Sequence, residues 1–427
     1  MDCCISKLIG RRVWDSRGRP TVEAEIHLTD GSVGRAIAPA GASRGQHEAV
    51  DLRDGGTMLG GHDVSRALNN ISNLIAPRLR GMNPANQEAI DAMLIELDGT
   101  PNKSRLGGNA TIAVSMAALH AAASAQRMPL YAYLARGNAV RLPLPEIQIF
   151  GGGAHAGRRV DVQDFMVVAL TAQSFDEALR MTAEVYAAAG RLMSDAGKLQ
   201  GVADEGGYWP VFDSNEEALD ALTRAIEKAG FVPGQQMAIS LDVAASEFGR
   251  AGRYRLGLEN RQLDSDQMCA LLLDWVDRYP IVSVEDPLAE DDQEGLARFT
   301  AACGDRIQII GDDYFVTHAA RVANGAKAGA CNAVLIKPNQ AGTITETRAA
   351  LDAARRAGFA TIVSARSGET EDTTIVHLAT GWDAGQLKVG SFARSERMAK
   401  WNEALRIEES LGTAARFAGR AALGMHP

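Results

Sequence analysis

The chain opens with a strand-like pattern and then changes to helical periodicity. Over residues 21–39 the apolar residues stand at alternate positions, as in a strand with one buried face, and Asp30-Gly31 predicts a hairpin turn. Three later stretches show apolar residues at helical spacing: 64–80, 87–97 and 110–135. Strands followed by helices predict a small α+β domain, which we place at residues 1–135.

A different pattern begins near residue 142, after which short apolar runs alternate with amphipathic helical segments. This alternation is typical of βα units on a parallel sheet. Six successive apolar runs end at a charged residue: Asp242, Glu285, Asp312, Lys337, Arg366 and Lys388. An α/β barrel carries its chemistry at the C-terminal ends of its strands, so we expect residues 136–427 to form a barrel with these charges at one mouth. Pro143 and Pro145 predict a linker between the domains.

Composition narrows the possible classes of protein. The 427 residues are 46% apolar and 23% charged, and no apolar run approaches the length of a membrane span. The net charge of −9 and the lack of a basic cluster argue against nucleic-acid binding. Five cysteines without Cys-x-x-Cys spacing argue against a disulfide framework or a zinc site. The start of the sequence shows no secretory pattern, so we expect a cytoplasmic protein without a membrane partner.

Three of the strand-end residues are carboxylates: Asp242, Glu285 and Asp312. On neighbouring strands they would repel one another strongly, and a divalent cation would relieve that repulsion. Oxygen ligands without cysteine or histidine favour Mg²⁺. The alternative is that these acids are exposed or are paired with Lys337 and Lys388.

The two lysines are candidates for proton transfer and for stabilising an anion. A buried lysine among other cations can act as a base, while a second lysine keeps its charge; the alternative for Lys337 and Lys388 is a plain salt bridge. Upstream, His155 lies in a glycine-rich loop, Asp164 follows it, and Glu205 precedes two glycines. Glycines let a ligand approach the backbone closely, although such a loop is also compatible with ordinary polar residues.

A series of segments resembles one enzyme family in order and spacing: DSRGRPTVE, GASRG, HEAVDLRD, LDGTPNKSRLGGNA, DEGG, LDVAASEF, SVEDPLAEDD, GDDYFVT, LIKPNQAGT, RSGETED and ARSERMAKWNEALRIEE. The chain is similar to the enolases, the phosphopyruvate hydratases, over nearly its whole length. The resemblance implies an N-terminal α+β capping domain and a modified TIM-type (βα)8 barrel of the enolase superfamily. It also implies a hydro-lyase that converts 2-phosphoglycerate, a small phosphorylated acid, to phosphoenolpyruvate, with two Mg²⁺ ions, the second recruited with substrate. We expect a homodimer or an assembly of dimers.

The resemblance also assigns a role to each candidate residue. It implies Lys337 as the base at C2, Glu205 as the acid at C3 with Asp164 as its partner, and Lys388 as a stabiliser of the enediolate; a lysine base with Mg²⁺ is the pattern described for this superfamily. The implied ligands of the first metal are Asp242, Glu285 and Asp312, and Ser43 would hold the second metal and close over the substrate. The implied substrate-binding residues are His155, Gln163, Arg366, Ser367 and Ser43.

The sequence departs from the enolase pattern around this pocket. Ala365 stands where enolases usually carry histidine, and loss of one acid–base group commonly lowers a rate on the order of 10²- to 10⁴-fold. Further departures are Ala40, Arg44, Gly151, Ala154, Asp164 and Val389. We therefore carry two alternatives to an ordinary enolase. The first is a paralogue that dehydrates a C3-substituted analogue of 2-phosphoglycerate, similar to carboxyphosphonoenolpyruvate synthase; the second is a non-catalytic binding protein.

Overall fold

An antiparallel three-stranded sheet begins the chain in the computed structural model, which describes residues 3–42 and 45–424. Its strands are β1 (Ile5–Trp14), β2 (Pro20–Leu28) and β3 (Val33–Ile37), and they pair in chain order. The predicted hairpin is confirmed, because the turn between β2 and β3 contains Gly31 at a φ of 89°. That backbone conformation is easy only for glycine, which explains the Asp-Gly pair.

Helices then cover one face of this sheet. They are α1 (Ser65–Asn70), a π-helical turn (Ile71–Ile75), α2 (Ala76–Leu79), α3 (Gln87–Asp98), α4 (Gly108–Ala125) and α5 (Leu130–Ala135). The expected single helix over 110–135 is wrong. The chain leaves α4 at Ala125 and resumes as α5 after Pro129, because proline disfavours helical geometry in the residue before it. α4 packs so closely on β3 that a Cβ at Gly34 would lie 2.1 Å from the Ala121 nitrogen.

Eight strands close into a barrel, and three short strands form a separate sheet. The strands are β4 (Leu144–Gly151), β5 (Asp164–Ala169), β6 (Met237–Asp242), β7 (Gly249–Arg250), β8 (Arg253–Leu256), β9 (Arg261–Asp264), β10 (Ile281–Glu285), β11 (Gln308–Gly311), β12 (Ala333–Ile336), β13 (Ala360–Ser364) and β14 (Gly385–Gly390). The barrel order is β10-β11-β12-β13-β14-β4-β5-β6. All neighbours are parallel except that β5 runs antiparallel to both β4 and β6. The barrel confirms the predicted fold class, while Pro145 lies inside β4 and not in a linker.

The helices after β5 are α6 (Phe175–Asp195), α7 (Asn215–Lys228), α8 (Ser265–Arg278), α9 (Gln293–Cys303), α10 (Ala319–Ala328), α11 (Pro338–Ala341), α12 (Ile344–Arg356), α13 (Thr374–Gly381) and α14 (Ser395–Leu411). Several begin at a hydrogen-bonding cap. Asp264 and Gln267 form a reciprocal capping box at α8, and Ser174 accepts the Glu177 N–H at α6. No helix of the described ranges is both long and apolar enough to cross a membrane.

The barrel interior changes character along its axis. One end holds a small apolar cluster that includes Leu144, Val168 and Ala238. Two residues further along the same strands β4 and β6 stand Glu146 and Ser240, which share a hydrogen bond of 3.1 Å in the buried interior. The C-terminal end of β6 carries Asp242. The strands therefore bring the predicted charged residues Asp242, Lys337, Arg366 and Lys388 together at one mouth of the barrel.

Candidate active site

A cavity lies at this mouth. Gly41 and Ala42 contribute to it from the N-terminal part of the chain, and the barrel supplies the rest. The cavity is lined by nine of the sequence-predicted residues: His155, Gln163, Asp164, Glu205, Asp242, Lys337, Arg366, Ser367 and Lys388. Ser43, which we expected to hold a metal and close over the substrate, lies outside the described residues.

Lys388 stands at the centre of the buried acids. Its Nζ lies 2.8 Å from Asp242 Oδ2, 2.8 Å from Glu285 Oε2 and 3.4 Å from Asp164 Oδ2. Burial by itself would lower the pKa of Lys388, but the three carboxylates raise it well above its usual value. The surrounding carboxylates therefore favour the charged ammonium form of Lys388.

Lys337 pairs with a different acid. Its Nζ donates to Asp312 Oδ2, while Gln340 Nε2 donates to Asp312 Oδ1 at 2.9 Å. Burial acts to lower the pKa of Lys337, yet Asp312 outweighs it and the net shift is upward. The lysine–carboxylate pairings that the sequence left open as an alternative are thus both present, and Lys337 is protonated while it holds Asp312.

One of the three predicted metal-binding acids has an oxygen that accepts no hydrogen bond from the described residues. Glu285 Oε1 and Gln163 Oε1 are buried and accept no hydrogen bond from the described residues. Burial, and next the charge of Asp242, raise the pKa of Glu285 well above its usual value. Buried oxygen atoms in a site with excess negative charge suit a hard divalent cation. The buried oxygen of Glu285 has this chemistry, and the role of Asp242, Glu285 and Asp312 as ligands of Mg²⁺ stays a prediction.

Two tighter groups of possible ligands occur among the described residues. In each, three ligand atoms lie within 4.8 Å of one another: His155, Asp164 and Glu205 in one, and Asp286, Asp312 and Asp313 in the other. In the second group, Asp286 accepts the backbone N–H groups of Asp312 and Asp313 at 2.9 and 2.8 Å. Its oxygens are thus occupied in shaping the turn after β11 that carries Asp312.

His155 lies between the two acids of the opposite wall. Its Nδ1 is 3.1 Å from Asp164 Oδ1, and its Nε2 is 3.7 Å from Glu205 Oε1. Burial lowers the pKa of His155, but Glu205 and Asp164 outweigh it and raise the pKa to about 9. The imidazole is therefore charged at neutral pH. It contacts the expected acid pair, whereas its predicted contact is with the substrate phosphate.

Arg366 and Ser367 follow β13, where the opening of the barrel faces the N-terminal part of the chain. Arg366 Nη1 donates to Glu48 Oε2 at 2.9 Å and to Asn339 Oδ1 at 3.1 Å, and its Nη2 donates to Glu48 Oε1 at 3.2 Å. Glu48 thus accepts from both Nη atoms of the guanidinium group, which is planar by itself. Such a planar pair of donors suits phosphate oxygens.

Three further residues contact the site, and none was predicted from the sequence. Gln148 donates to Asp164 Oδ1 and accepts the Gly207 N–H at 2.8 Å. Arg17 donates to Ser367 Oγ at 3.2 Å, and Arg397 donates to the carbonyl oxygens of Arg366, after β13, and of Val389, near the end of β14. Arg17 and Arg397 lie inside the enolase-like motif segments, and that position could have indicated a role at the site. Gln148 lies in an apolar strand, where no sequence feature indicates such a role.

The comparisons with known proteins cover both halves of the chain. Residues 5–134 match the family described as "Enolase, N-terminal domain", and residues 139–425 match "Enolase, C-terminal TIM barrel domain". The chain belongs to the enolase family. It is 52% identical over 416 residues to a protein named Enolase 1 from Desulfitobacterium hafniense (strain Y51), covering 97% of this chain and 95% of that protein. The predicted family and enzyme class, a hydro-lyase of the phosphopyruvate hydratase type, are confirmed.

The main departure from the enolase pattern lies in the cavity wall. Ala365 and Val389 both line the cavity, and Ala365 is buried with its N–H donated to the Lys388 carbonyl at 2.9 Å. The other barrel residues of the lining, apart from these two, are polar or charged. A methyl group and a branched aliphatic side chain thus stand at the two positions where the enolase resemblance leads us to expect imidazole and hydroxyl donors.

Proposed function

We propose that this member of the enolase family is a Mg²⁺-dependent dehydratase that interconverts 2-phosphoglycerate and phosphoenolpyruvate. The observation that carries the proposal is the shared cavity, which joins Lys337 and Lys388 on one side to Glu205 and His155 on the other. Removal of water from a 2-phospho-3-hydroxy acid needs a base at C2, an acid at C3 and charge stabilisation between them. The 52% identical relative that is named Enolase 1 supports the same reaction.

Each side chain has a distinct part in this reaction. Lys337 accepts the proton from C2, and the electron pair of the broken C–H bond moves onto the substrate carboxylate as an enediolate. Lys388, held charged by its carboxylates, stabilises that negative charge as it develops. Glu205 then donates a proton to the C3 hydroxyl, which leaves as water while the double bond forms. His155 lies between Glu205 and Asp164 and contacts both carboxylates, so it links Asp164 to the proposed acid.

The metal ligands in this proposal are Asp242, Glu285 and Asp312, with Ser43 for a second ion. A bound Mg²⁺ supplies positive charge that favours the enediolate and reduces the repulsion among the acids. Lys337 is protonated while it pairs with Asp312, so it acts as a base only when that pairing is weakened. Arg366 and Ser367 bind the phosphate, and Gln163 lies beside Asp242 at 3.1 Å.

Ala365 supports a second candidate, a hydro-lyase acting on a 2-phosphoglycerate analogue that carries an extra group at C3. The alanine removes bulk and a donor from the cavity wall, and Val389 adds no donor in its place. The remaining machinery would perform the same proton transfers. A carboxylated or phosphonate-pathway acid has the added size and charge that this candidate requires.

The deciding experiment follows phosphoenolpyruvate formation from 2-phosphoglycerate and Mg²⁺ by absorbance, with the native chain and Ala365→His. Native turnover near about 10 s⁻¹, a typical enzyme rate, supports the first candidate. Little native turnover that rises on Ala365→His supports the second. No turnover with either chain, on 2-phosphoglycerate or on C3-substituted analogues, refutes both.

The predicted assembly and location belong to the same proposal. We expect a cytoplasmic homodimer, or an assembly of dimers, with a small phosphorylated acid as its ligand. Light scattering of the purified chain measures the assembly directly. A monomeric mass over the micromolar range would contradict the dimer and leave the proposed chemistry in place.

A further inference from the structure

Arg397 is a fully buried cation without a role in the proposed chemistry. It stands on α14, within the motif segment that follows β14, and none of its surface reaches solvent. Burying a charge is costly unless hydrogen bonds and opposite charges compensate it. The contacts of this guanidinium group therefore indicate what it contributes.

The guanidinium group donates hydrogen bonds to backbone carbonyl groups at the ends of two strands, β13 and β14. Arg397 Nη1 donates to the Arg366 carbonyl at 2.7 Å and to the Val389 carbonyl at 2.8 Å, and Nη2 donates to the Ser367 carbonyl. Two of these carbonyls belong to the predicted phosphate-binding residues. Because both are turned toward Arg397, the segment after β13 is held against the end of β14.

The same group lies beside the proposed acid. Arg397 Nη1 is 3.9 Å from Glu205 Oε1, and the other carboxylate within reach is Glu396, at 3.5 Å from Nε. The backbone of Glu205 is also tied to β14, because the Ser391 N–H donates to its carbonyl at 2.9 Å. Arg397 thus places a positive charge near the side chain of Glu205. It also donates hydrogen bonds to the carbonyl groups of Arg366 and Ser367, the predicted phosphate-binding residues.

Gly390 makes this close approach possible. A Cβ at position 390 would lie 2.8 Å from the Glu205 carbonyl oxygen and 2.9 Å from Arg397 Cδ, and the φ of 120° is one that other residues rarely adopt. There is therefore no room for a side chain at position 390, where the end of β14 packs against the Arg397 side chain and the loop that carries Glu205. Such close packing leaves little room for these segments to move relative to one another.

We propose that Arg397 is a positioning residue that couples the anion-binding segment at Arg366 and Ser367 to the acid loop at Glu205. It touches neither substrate nor reacting atoms in this role, and it acts through the residues that do. The proposal rests on the proposed function for the identity of the acid, but the coupling itself is a property of the folded chain. Phosphate binding and loop ordering are therefore the decisive readouts, since neither needs turnover.

The test compares Arg397→Met and Arg397→Lys with the native chain. Methionine keeps much of the stem but no donor, while lysine keeps the charge but cannot span carbonyl groups on two strands. Arg416→Met is the matched control, because Arg416 also donates to main-chain carbonyls, at 3.1 and 2.8 Å, but in an exposed turn. Calorimetry with inorganic phosphate as the probe gives the Kd of each chain. Mass spectrometry of amide exchange reports on peptides that cover 363–369 and 203–208.

We expect Arg397→Met to weaken phosphate binding by about 10- to 100-fold, the range for misplacing a binding group by about an ångström. Amide exchange should quicken in both peptides together. Arg397→Lys should give intermediate values, and Arg416→Met should match the native chain. If the native chain turns over 2-phosphoglycerate, Arg397→Met should lower kcat and also raise KM. Both effects are expected because the substitution displaces the acid Glu205 and the anion-binding segment at Arg366 and Ser367.

Exchange that quickens in only one of the two peptides would refute the coupling. Native values of both Kd and exchange in folded Arg397→Met would refute any positioning role. If Arg397→Met does not fold, Arg397→Lys decides, and native behaviour in that variant overturns the proposal. Absence of native turnover, together with the expected loss of phosphate binding in Arg397→Met, would instead reject the proposed reaction and leave the role of Arg397 intact.

Discussion

The Nζ atom of Lys388 lies 2.8 Å from Glu285 Oε2, and the second oxygen of that carboxylate is buried without a hydrogen-bond donor among the described residues. The ammonium group of Lys388 therefore compensates the charge at only one of the two oxygens of Glu285. The unsatisfied oxygen has a cost that a bound cation would remove. We therefore expect a bound divalent cation to raise the folded stability of the chain.

Mg²⁺ should therefore stabilise the protein against unfolding. At a concentration 100-fold above its Kd, a ligand that binds only the native state adds about 2.7 kcal/mol to the free energy of unfolding. Thermal unfolding monitored by circular dichroism, with and without Mg²⁺, measures the shift. Glu285→Gln should abolish the Mg²⁺-dependent part, and an undiminished shift in that variant would remove Glu285 from the ligand set.

Lys337→Ala should abolish exchange of the substrate C2 proton with solvent. The variant lacks the only group assigned to accept that proton, while Lys388 still provides the positive charge near the carboxylate. Incubation of 2-phosphoglycerate in deuterated water, followed by NMR, gives the exchange rate. Lys327→Ala, at an exposed position of α10, is the control and should exchange at the native rate. Exchange retained in Lys337→Ala would assign the base elsewhere.

Glu205→Gln should separate the two halves of the reaction. The amide keeps the shape of the side chain but cannot donate a proton as a carboxylic acid does, so water loss should fall by about 10²- to 10⁴-fold. Proton exchange at C2 should continue near the native rate, because Lys337 is untouched. The same NMR experiment reports exchange, and absorbance reports phosphoenolpyruvate. Equal loss of both would show that Glu205 also acts before the C3 step.

His155 should titrate far above an ordinary histidine. Its pKa is raised from 6.5 to about 9, so the stability gained from the charged imidazole is fully present below pH 6.5 and is lost as the pH rises through about 9. Chemical denaturation at a series of pH values measures this loss. His155→Asn should flatten the curve over that window, and NMR titration of the native imidazole locates the pKa. A native value near 6.5 would contradict the arrangement with Asp164 and Glu205.

Gln148→Leu should lower both stability and turnover. It leaves the Gly207 N–H without its acceptor and Asp164 with one donor fewer, and a buried unsatisfied group costs about 1–3 kcal/mol. Displacement of Asp164 and of the loop carrying Glu205 should reduce kcat more than substrate affinity. Gln386→Leu is the control: this buried glutamine donates to the Ala422 carbonyl, away from the cavity. A kcat loss of equal size in both variants would indicate general destabilisation.

The strand-end charges were predictable because each depends on a short local pattern. An apolar run that finishes in Asp242 or Glu285 predicts a buried strand and a charge at its end, and parallel strands bring such ends together. The helix boundaries were less secure. Apolar spacing continues through 110–135, but Pro129 interrupts the helix, and proline acts through backbone geometry and not through hydropathy.

The reversal of β5 is a tertiary feature. Asp164 lies on a strand that runs against both neighbours, opposite Asp242 in register. The alternation of apolar residues is the same for either direction of a strand, so the pattern could not reveal it. Tertiary pairing alone decided that Asp164 faces Lys388 and His155.

By itself the sequence determined the barrel, the set of charged strand ends and, through its motifs, the enolase family, since these follow from local periodicity and residue type. Only the tertiary structure decided the partners of those charges. Lys388 meets acids more than 100 positions away, as with Glu285, and Arg397 on α14 reaches the carbonyl of Arg366, which follows β13. Such contacts depend on how closed strands and a packed helix meet in space, and one-dimensional patterns do not encode which side chains will then touch.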